Sequence, residues 1–209
     1  MEILIADDHT IVREGLKQII SNLPEVTKVD EAENGFDVIE MINKNEYDLI
    51  ILDITMPGKN GLDTLKELKV LKPKLPVLML SVHDEEQYGI RVLKAGASGF
   101  LPKHSEPEEF RKAILKASSG KKYLSEVLAE KIASNLEDGT DKPLHELLSD
   151  REFQVFRLIV EGKLVKDISE QLFLSSKTVS TYRTRILGKL NLRSNADIVK
   201  YAFANKIIF

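Results

Sequence analysis

The sequence predicts an α/β fold, a doubly wound five-stranded parallel sheet, followed by a small all-α helix-turn-helix domain. Two observations support this prediction. Short continuous apolar runs alternate with segments of helical spacing through the first 120 residues, and this alternation is typical of a parallel sheet covered on both faces. Beyond residue 146 such runs stop, and four short helical segments follow. The 209 residues, 43% of them hydrophobic, are enough for two small cores.

The strands of the predicted sheet are short apolar runs. They cover residues 3–6, 26–32, 49–52, 77–80 and 99–101, and the run at 26–32 is the weakest. Between them, apolar residues such as Leu62, Leu65 and Leu68 recur at the spacing of a helix that buries one face. Ligands of such sheets bind at the carboxyl ends of the strands. The residues directly after each run are therefore candidates for a functional site.

The predicted domain limits are 1–120 for the sheet domain and 147–209 for the helical domain. Residues 121–146 are predicted to be a linker, with an amphipathic helix over 125–136 and a polar breaker run over 137–143. The helices of the second domain are expected near 150–161, 166–173, 177–190 and 195–205.

The two halves of the chain carry opposite charge. Residues 147–209 contain 11 Lys and Arg against 6 Asp and Glu, a balance of +5, whereas the rest contains 19 against 27, a balance of −8. This asymmetry indicates different partners, with the basic half a candidate for nucleic acid. The alternative is that the basic side chains only form a solvated face.

Several function classes are excluded or disfavoured by composition. The chain has no Cys, which excludes disulfides, thiolate metal sites and thiol chemistry. No stretch approaches the ~20 apolar residues of a membrane span, and the acidic start does not resemble a signal peptide. We therefore expect a soluble, cytoplasmic chain without a membrane partner.

Five polar residues follow the predicted strands. Asp7 and Asp8 come after the first strand, Asp53 after the third, Ser81 at the end of the fourth and Lys103 after the fifth. Because neighbouring parallel strands end at the same edge, the carboxylates should converge, and such crowding requires a neutralising charge. Mg²⁺ binds carboxylate oxygens. A carboxylate nucleophile, a metal, a hydroxyl and a cation together suit phosphoryl transfer.

The same residues belong to motifs that resemble the receiver domain of bacterial two-component response regulators. The motifs are IADDH at 5–9, LDITMPGKNG at 52–61, LS at 80–81 and AGASGFLPK at 95–103. The resemblance covers residues 1–120 and implies that Asp53 accepts a phosphoryl group from a phosphohistidine of a sensor histidine kinase. It also implies that Asp8, Asp53 and the backbone carbonyl of Thr55 hold Mg²⁺, with Asp7 supporting the site.

The resemblance also assigns residues to the switch. It implies that Ser81 and Lys103 bind phosphate oxygens and that Phe100 is the aromatic residue whose rotamer follows Ser81. The chain departs from the pattern in one respect: many receivers have Pro after the family's Lys, whereas Pro102 precedes Lys103.

The basic half has the pattern of a helix-turn-helix. Residues 149–152 read as a capping box, and residues 174–176 form a turn between two short helical segments, of which the second is expected in the DNA major groove. In that segment Val179, Ile186, Leu187 and Leu190 are predicted to be core. The candidate DNA-binding residues, which offer cations for phosphates and hydroxyls for base edges, are Lys177, Thr178, Ser180, Thr181, Tyr182, Arg183, Thr184 and Arg185.

The second half resembles the LuxR-type helix-turn-helix of the NarL/FixJ response regulators. The motifs that carry the resemblance are LSDRE at 148–152, DIS at 167–169, LSSKTV at 174–179 and LGKL at 187–190. The resemblance implies a four-helix domain that binds DNA as a dimer, with the last helix, near 195–205, at the dimer contact. Ser180, Tyr182 and Arg183 depart from the family's common residues on the recognition helix.

The predicted function is that of a phosphorylation-dependent transcriptional regulator, a homodimer when phosphorylated and not an enzyme. Two alternatives compete with this function. A phosphatase or mutase with an aspartyl nucleophile usually has a second acid two residues beyond that nucleophile, and here Thr55 occupies the position. A regulator that acts without phosphorylation, under the control of protein partners, stays open.

Overall fold

The computed structural model of the chain describes residues 1–82, 85–137, 143–205 and 207. The chain divides into two compact units, Met1–Glu137 and Asp138–Phe209. Most of the predicted breaker run at 137–143 lies outside the described residues. Across the described ranges, no helix combines the length and apolar character needed to cross a bilayer.

The first unit is a five-stranded parallel sheet with helices between the strands. The strands are β1 Glu2–Ala6, β2 Lys28–Ala32, β3 Leu49–Asp53, β4 Val77–Ser81 and β5 Gly99–Pro102. The helices are α1 Thr10–Ile20, α2 Gly35–Lys44, α3 Gly61–Leu71, α4 Glu85–Lys94, α5 Pro107–Ser118 and α6 Glu126–Glu137. The sheet order is β2-β1-β3-β4-β5, and every pair is parallel. The predicted α/β fold is confirmed.

Burial explains why four strands were easy to predict and one was not. Every residue of β3 and β4 is buried, because both strands have neighbours on each side and helices on both faces. Strand β2 lies at the edge, pairs only with β1, and is mostly half-buried. It can therefore keep the polar sequence KVDEA, which gives a weak apolar signal.

The helix predicted in the linker is part of the first unit. Helix α6 packs against α4, where the fully buried Leu128 lies over Gly89. A Cβ at Gly89 would lie 2.6 Å from Leu128 Cδ1, so a larger residue would require the Leu128 side chain to move. The segment before α6 is anchored as well, because the Tyr123 N–H donates to the Ser98 carbonyl at 2.7 Å. The compact unit thus continues to Glu137, beyond the expected limit at 120.

The second unit is helical throughout its described part. A 3-10 turn at Leu144–Leu147 is followed by α7 Asp150–Val160, α8 Val165–Gln171, α9 Ser176–Leu190 and α10 Asn195–Ala204. Helix α7 packs against α8, α9 and α10, with Phe156 on α7, Ile186 on α9 and Ile198 on α10 fully buried. The turn between α8 and α9 places Ser175 as the N-cap of α9.

A buried glutamate ties α7 to α9. Glu152 Oε2 accepts from the Ser149 N–H at 2.7 Å, which completes the predicted capping box, and from Lys189 Nζ at 2.6 Å. Glu152 is only 3% exposed. Burial opposes its ionisation, but Lys189 and Ser149 outweigh burial and lower the pKa of Glu152. The ion pair therefore stabilises the junction between the start of α7 and the end of α9.

We expect Glu152→Gln to lower the free energy of unfolding by about 2 kcal/mol at pH 7, the usual contribution of a hydrogen bond to a charged group. Because the folded-state pKa is lowered, this stabilisation is present above the ordinary glutamate pKa and is lost as pH falls through the folded value. Urea unfolding at pH 7 and pH 3.5 measures the effect. As a control, Glu161→Gln, whose 38% exposed carboxylate pairs with Arg157, should change stability by less than about 0.5 kcal/mol.

Candidate functional site

The register of the sheet brings the predicted acidic residues together. Ala6 in β1 is aligned with Leu52 in β3, so Asp7 and Asp53 leave the sheet side by side. Asp7 is fully buried and Asp53 is 2% exposed. Lys103 Nζ lies 2.6 Å from Asp7 Oδ2 and 3.0 Å from Asp53 Oδ2. One ammonium group thus bridges two buried carboxylates.

The electrostatics of the site are dominated by desolvation. Burial raises the pKa of Asp53 to about 7, Lys103 opposes the rise, and the charge of Asp7 adds to it. The Thr55 backbone N–H also opposes the rise, because it favours the ionised Asp53 carboxylate. Burial also opposes the charge on Lys103, but Asp53 and Asp7 outweigh it and raise the pKa of Lys103. The site contains more negative charge than one ammonium neutralises.

Asp8 and His9 complete the acidic cluster. His9 Nδ1 lies 2.8 Å from Asp8 Oδ1 and 3.3 Å from Asp7 Oδ1, and ligand atoms of these three residues lie within 4.8 Å of one another. Within the described part of the chain, Asp7 Oδ2, Asp8 Oδ1 and Asp53 Oδ2 are buried and accept no well-aligned hydrogen bond. Buried oxygens of this kind need a partner, and a hard cation such as Mg²⁺ suits them.

Ser81 and Lys103 lie at the same edge of the sheet as the carboxylates. Ser81 ends β4, is aligned with Pro102 in β5, and its carbonyl accepts from the Lys103 N–H at 2.7 Å. Pro102 is the last residue of β5, so Lys103 leaves the strand directly. Phe100 is fully buried within β5, beside Met79 of β4. The structure therefore places the predicted switch residues on β4, β5 and the residue that follows.

Arg13 is a supporting residue that the sequence analysis missed. Its guanidinium, in a residue only 5% exposed, donates from Nη1 to the Asp7 carbonyl at 2.7 Å. Nε and Nη2 donate to Glu31 at 2.8 Å and Glu33 at 3.0 Å. A sequence signal exists: Arg13 lies at helical spacing from the buried Leu16, where an apolar residue would be expected. Arg13 fixes the backbone that carries Asp7.

Gly61, the first residue of α3, also supports the site and was missed. A Cβ at this position would lie 1.8 Å from the Asp53 carbonyl oxygen. The Gly61 N–H donates to the Ile54 carbonyl at 3.0 Å, and Asn60 caps the helix by accepting from the Asp63 N–H at 2.8 Å. The start of α3 therefore rests directly on the backbone of the acidic residue.

We expect Gly61→Ala to lower the free energy of unfolding by about 3 kcal/mol, because overpacking of this size costs about 1–3 kcal/mol and the opposing atom is a backbone oxygen that cannot rotate away. Urea unfolding monitored by circular dichroism measures the loss. Gly15→Ala in α1 is the matched control, because no atom lies within 4 Å of the added methyl. This variant should raise the free energy of unfolding by about 0.5–1 kcal/mol. Equal effects in the two variants would contradict the predicted steric contact.

The candidate DNA-contact residues divide into two groups on α9. The exposed group consists of Lys177, Ser180, Thr181, Thr184 and Arg185. The hydroxyls of Ser180, Thr181 and Thr184 each donate to the carbonyl four residues earlier, at 2.9, 3.0 and 3.1 Å. On the other side of the helix Val179, Ile186 and Leu190 are buried as predicted, whereas Leu187 is half-buried.

The second group, Thr178, Tyr182 and Arg183, is half-buried. Thr178 Oγ1 lies 2.8 Å from Ser175 Oγ in the helix cap. Arg183 Nε donates to Asn195 Oδ1 at 2.6 Å, which directs its guanidinium toward α10. The guanidinium of Arg185 lies 6.0 Å from the ring centre of Tyr182. Of the two arginines, Arg185 is the one exposed on the surface of α9.

The fold and its two sites define a class: a regulator with an acidic phosphoryl-transfer site on a parallel sheet and a helix-turn-helix. Family models match both units. Residues 3–115 match "Response regulator receiver domain", and residues 146–202 match "Bacterial regulatory proteins, luxR family".

Relatives match along nearly the whole chain. The response regulator UvrY of Escherichia coli K12 is 35% identical, covering 97% of this chain and 93% of UvrY. The nitrate/nitrite response regulator protein NarL of the same organism is 36% identical, covering 98% and 96%. Among solved structures, RcsB from Salmonella enterica serovar Typhimurium bound to promoter P1flhDC has a TM-score of 0.67 at 28% identity, covering 96% and 97%.

The chain therefore belongs to the NarL/FixJ family of two-component response regulators, with a receiver domain and a LuxR-type helix-turn-helix. It is a phosphorylation-dependent, DNA-binding transcriptional regulator.

Proposed function

We propose that Asp53 is the phosphoacceptor of this regulator. The observation that supports the proposal is the buried Asp53 carboxylate, aligned with Asp7 and contacted by Lys103. Its pKa near 7 leaves a substantial nucleophilic carboxylate population at neutral pH. An Asp53 oxygen attacks the phosphorus of a phosphohistidine on a sensor histidine kinase. The P–O bond forms as the P–N bond breaks, and the imidazole leaves.

Asp8, Asp53 and the Thr55 carbonyl would hold Mg²⁺, with Asp7 supporting the site. When bound, Mg²⁺ would neutralise charge on the transferring phosphoryl group. The buried oxygens of Asp7, Asp8 and Asp53 support this assignment, because their contacts with Lys103 and His9 lack hydrogen-bond alignment. All three are carboxylate oxygens, which are the ligands that a hard cation such as Mg²⁺ prefers.

Lys103 and Ser81 would bind the phosphoryl oxygens. Lys103 already contacts Asp53, so a short movement of its ammonium transfers the contact to a phosphoryl oxygen. Ser81 ends the adjacent β4 and can donate its hydroxyl. Phe100, buried in β5 beside β4, would change rotamer with Ser81 and report the phosphorylated state to the α4 and β5 surface.

The output would be DNA binding by α9 as a homodimer formed on phosphorylation. The working parts would be 1–120 for phosphoacceptance and 147–209 for DNA binding. Residues 121–146 would join them, with α6 packed on the first unit. The chain would work in the cytoplasm, where a DNA target is available, as a regulator and not as an enzyme. Regulation by protein partners without phosphorylation is the alternative, and the match to the receiver family does not favour it.

The decisive experiment incubates the full chain with Mg²⁺ and acetyl phosphate. Hydroxylamine-labile phosphate, molecular mass by light scattering and affinity for an operator fragment are measured on the same sample. We expect labelling, dimerisation and tighter DNA binding to rise together. Labelling without any change in mass or affinity would favour control by protein partners.

The exposed residues of α9 provide a test of the DNA interface. If Lys177 and Arg185 contact phosphates, replacing either by Ala should weaken binding to all sequences and reduce the salt slope by about 0.9. Thr181→Ala should instead change the preference between operators. Fluorescence anisotropy at several salt concentrations measures both effects. Lys116→Ala, which removes an exposed charge from α5, is the control, and an equal change of slope in it would refute the assignment.

A further inference from the structure

The turn that carries Asp7 and Asp8 is held by hydrogen bonds from three directions. The Asp7 N–H donates to the Ala32 carbonyl of β2 at 3.2 Å. Asp7 Oδ1 accepts from the His9 N–H at 2.9 Å, and the Asp7 carbonyl accepts from Nη1 of Arg13 at 2.7 Å. The backbone before Asp8 is therefore fixed by its surroundings.

The bond from Arg13 acts on Asp8 through the backbone. The carbonyl of Asp7 and the N–H of Asp8 belong to one peptide unit, and a peptide unit is planar. A donor that fixes this carbonyl also fixes the plane, and the plane sets the direction in which the Cα of Asp8 presents its carboxylate. Asp8 Oδ1 is a buried oxygen without an aligned hydrogen bond, so its direction decides what it can bind.

Arg13 is itself anchored to the edge of the sheet. Its Nε donates to Glu31 of β2 at 2.8 Å, and its Nη2 donates to Glu33 at 3.0 Å. The guanidinium is planar and rigid, so its donors point in fixed directions. Arg13 is only 5% exposed, and a buried charge needs partners of opposite sign. The two glutamates supply them, which leaves geometry as the main effect of Arg13 on the acidic site.

We propose that Arg13 is a positioning residue for Mg²⁺, because it holds the peptide between Asp7 and Asp8 in the orientation that directs the Asp8 carboxylate at the metal. The proposal rests on the metal site proposed above. Replacing a residue that orients a metal ligand commonly weakens metal binding by about 10–100-fold. The charge of Arg13 alone would act in the opposite direction, since removing a nearby positive charge favours the binding of a cation.

The test is calorimetric titration of the full chain with Mg²⁺. Arg13→Lys keeps the charge, but its single nitrogen cannot occupy the three donor positions of the guanidinium, so we expect the Kd for Mg²⁺ to rise about tenfold. Arg13→Met should also weaken binding. Unchanged binding in Arg13→Lys, or tighter binding in Arg13→Met, would overturn the proposal. Failure of the wild type to bind Mg²⁺ would overturn the metal site itself, and the role of Arg13 with it.

Glu31→Gln is the control that separates positioning from stability. It removes the charge that pairs with Arg13 and Lys17, whereas its amide oxygen can still accept from Nε and leave the bond to the Asp7 carbonyl in place. We expect a lower midpoint of urea unfolding and an unchanged affinity for Mg²⁺. Weaker binding in Glu31→Gln, equal to that in Arg13→Lys, would show that lost stability alone reduces affinity and would refute the positioning role.

The Mg²⁺ dependence of labelling by acetyl phosphate provides a second measurement. In Arg13→Lys the Mg²⁺ concentration for half-maximal rate should rise about tenfold, while the rate at saturating Mg²⁺ stays close to that of the wild type. Circular dichroism should show an intact fold under the same conditions. A rate that stays low at saturating Mg²⁺, with an unchanged half-maximal concentration, would mean that Arg13 acts on the fold and not on the metal ligand.

Discussion

Asp53→Asn should eliminate Mg²⁺-dependent phosphorylation of the full chain. The amide is isosteric with the carboxylate but is not a nucleophile at phosphorus. In the proposed site Asp7 and Asp8 serve the metal, and Asp8 Oδ1 already lies 2.8 Å from His9 Nδ1, so neither acid should replace Asp53. Incorporation of phosphate from acetyl phosphate, and its release by hydroxylamine, measures the result. Stoichiometric labelling of Asp53→Asn would refute the assignment of Asp53.

Two further variants make this result specific. Asp48→Asn changes an aspartate just before β3, whose Oδ2 accepts from the Glu2 N–H at 2.8 Å, far along the strand from the acidic site. It should label as the wild type does. Asp8→Asn keeps the nucleophile but removes a proposed metal ligand, so labelling should persist and require more Mg²⁺. Loss of labelling in Asp48→Asn would indicate damage to the fold instead of loss of the acceptor.

The acidic site could be predicted because its residues directly follow buried strands. Asp7, Asp53 and Lys103 each come after an apolar run, and parallel topology brings such positions to one edge without knowledge of any side-chain contact. Only β2 was hard to place. It lies at the edge of the sheet and is half-buried, so its sequence is not required to be apolar.

The supporting residues could not be predicted because their roles depend on distant parts of the chain. Arg13 is tolerated in the interior only because Glu31 and Glu33, at the end of β2 and beyond, accept from its guanidinium. The role of Gly61 depends on the close approach of the Asp53 backbone. Likewise α6 has an ordinary amphipathic sequence, and its packing on α4 follows from the space at Gly89.

The contacts of the side chains on α9 could not be predicted from the sequence either. Helical spacing separated the buried Val179 from exposed residues such as Lys177. It did not show that Arg183 donates to Asn195 of α10, since that contact depends on how α10 packs against the rest of the unit. The predicted set of DNA contacts therefore mixes surface residues with residues that hold the helices together.

Burial of Asp53 should make the metal-free protein less stable as pH rises. The pKa of Asp53 is about 7 in the folded protein, against an ordinary value of 3.8. Between these values the folded state retains a proton that the unfolded state has lost, so the stability present below pH 3.8 is lost as pH rises through 7. This difference in pKa corresponds to a loss of free energy of unfolding on the order of 4 kcal/mol.

Asp53→Asn removes this titration. In EDTA, the free energy of unfolding of Asp53→Asn relative to that of the wild type should therefore rise by up to about 4 kcal/mol between pH 4.5 and pH 8. Urea unfolding measures this difference. Mg²⁺ should reduce this difference in stability, because it binds the ionised Asp53 carboxylate of the wild type, which the variant lacks. A difference that does not change with pH would mean that Lys103, 3.0 Å from Asp53 Oδ2, keeps Asp53 ionised throughout. In that case charge pairing would outweigh desolvation in this site.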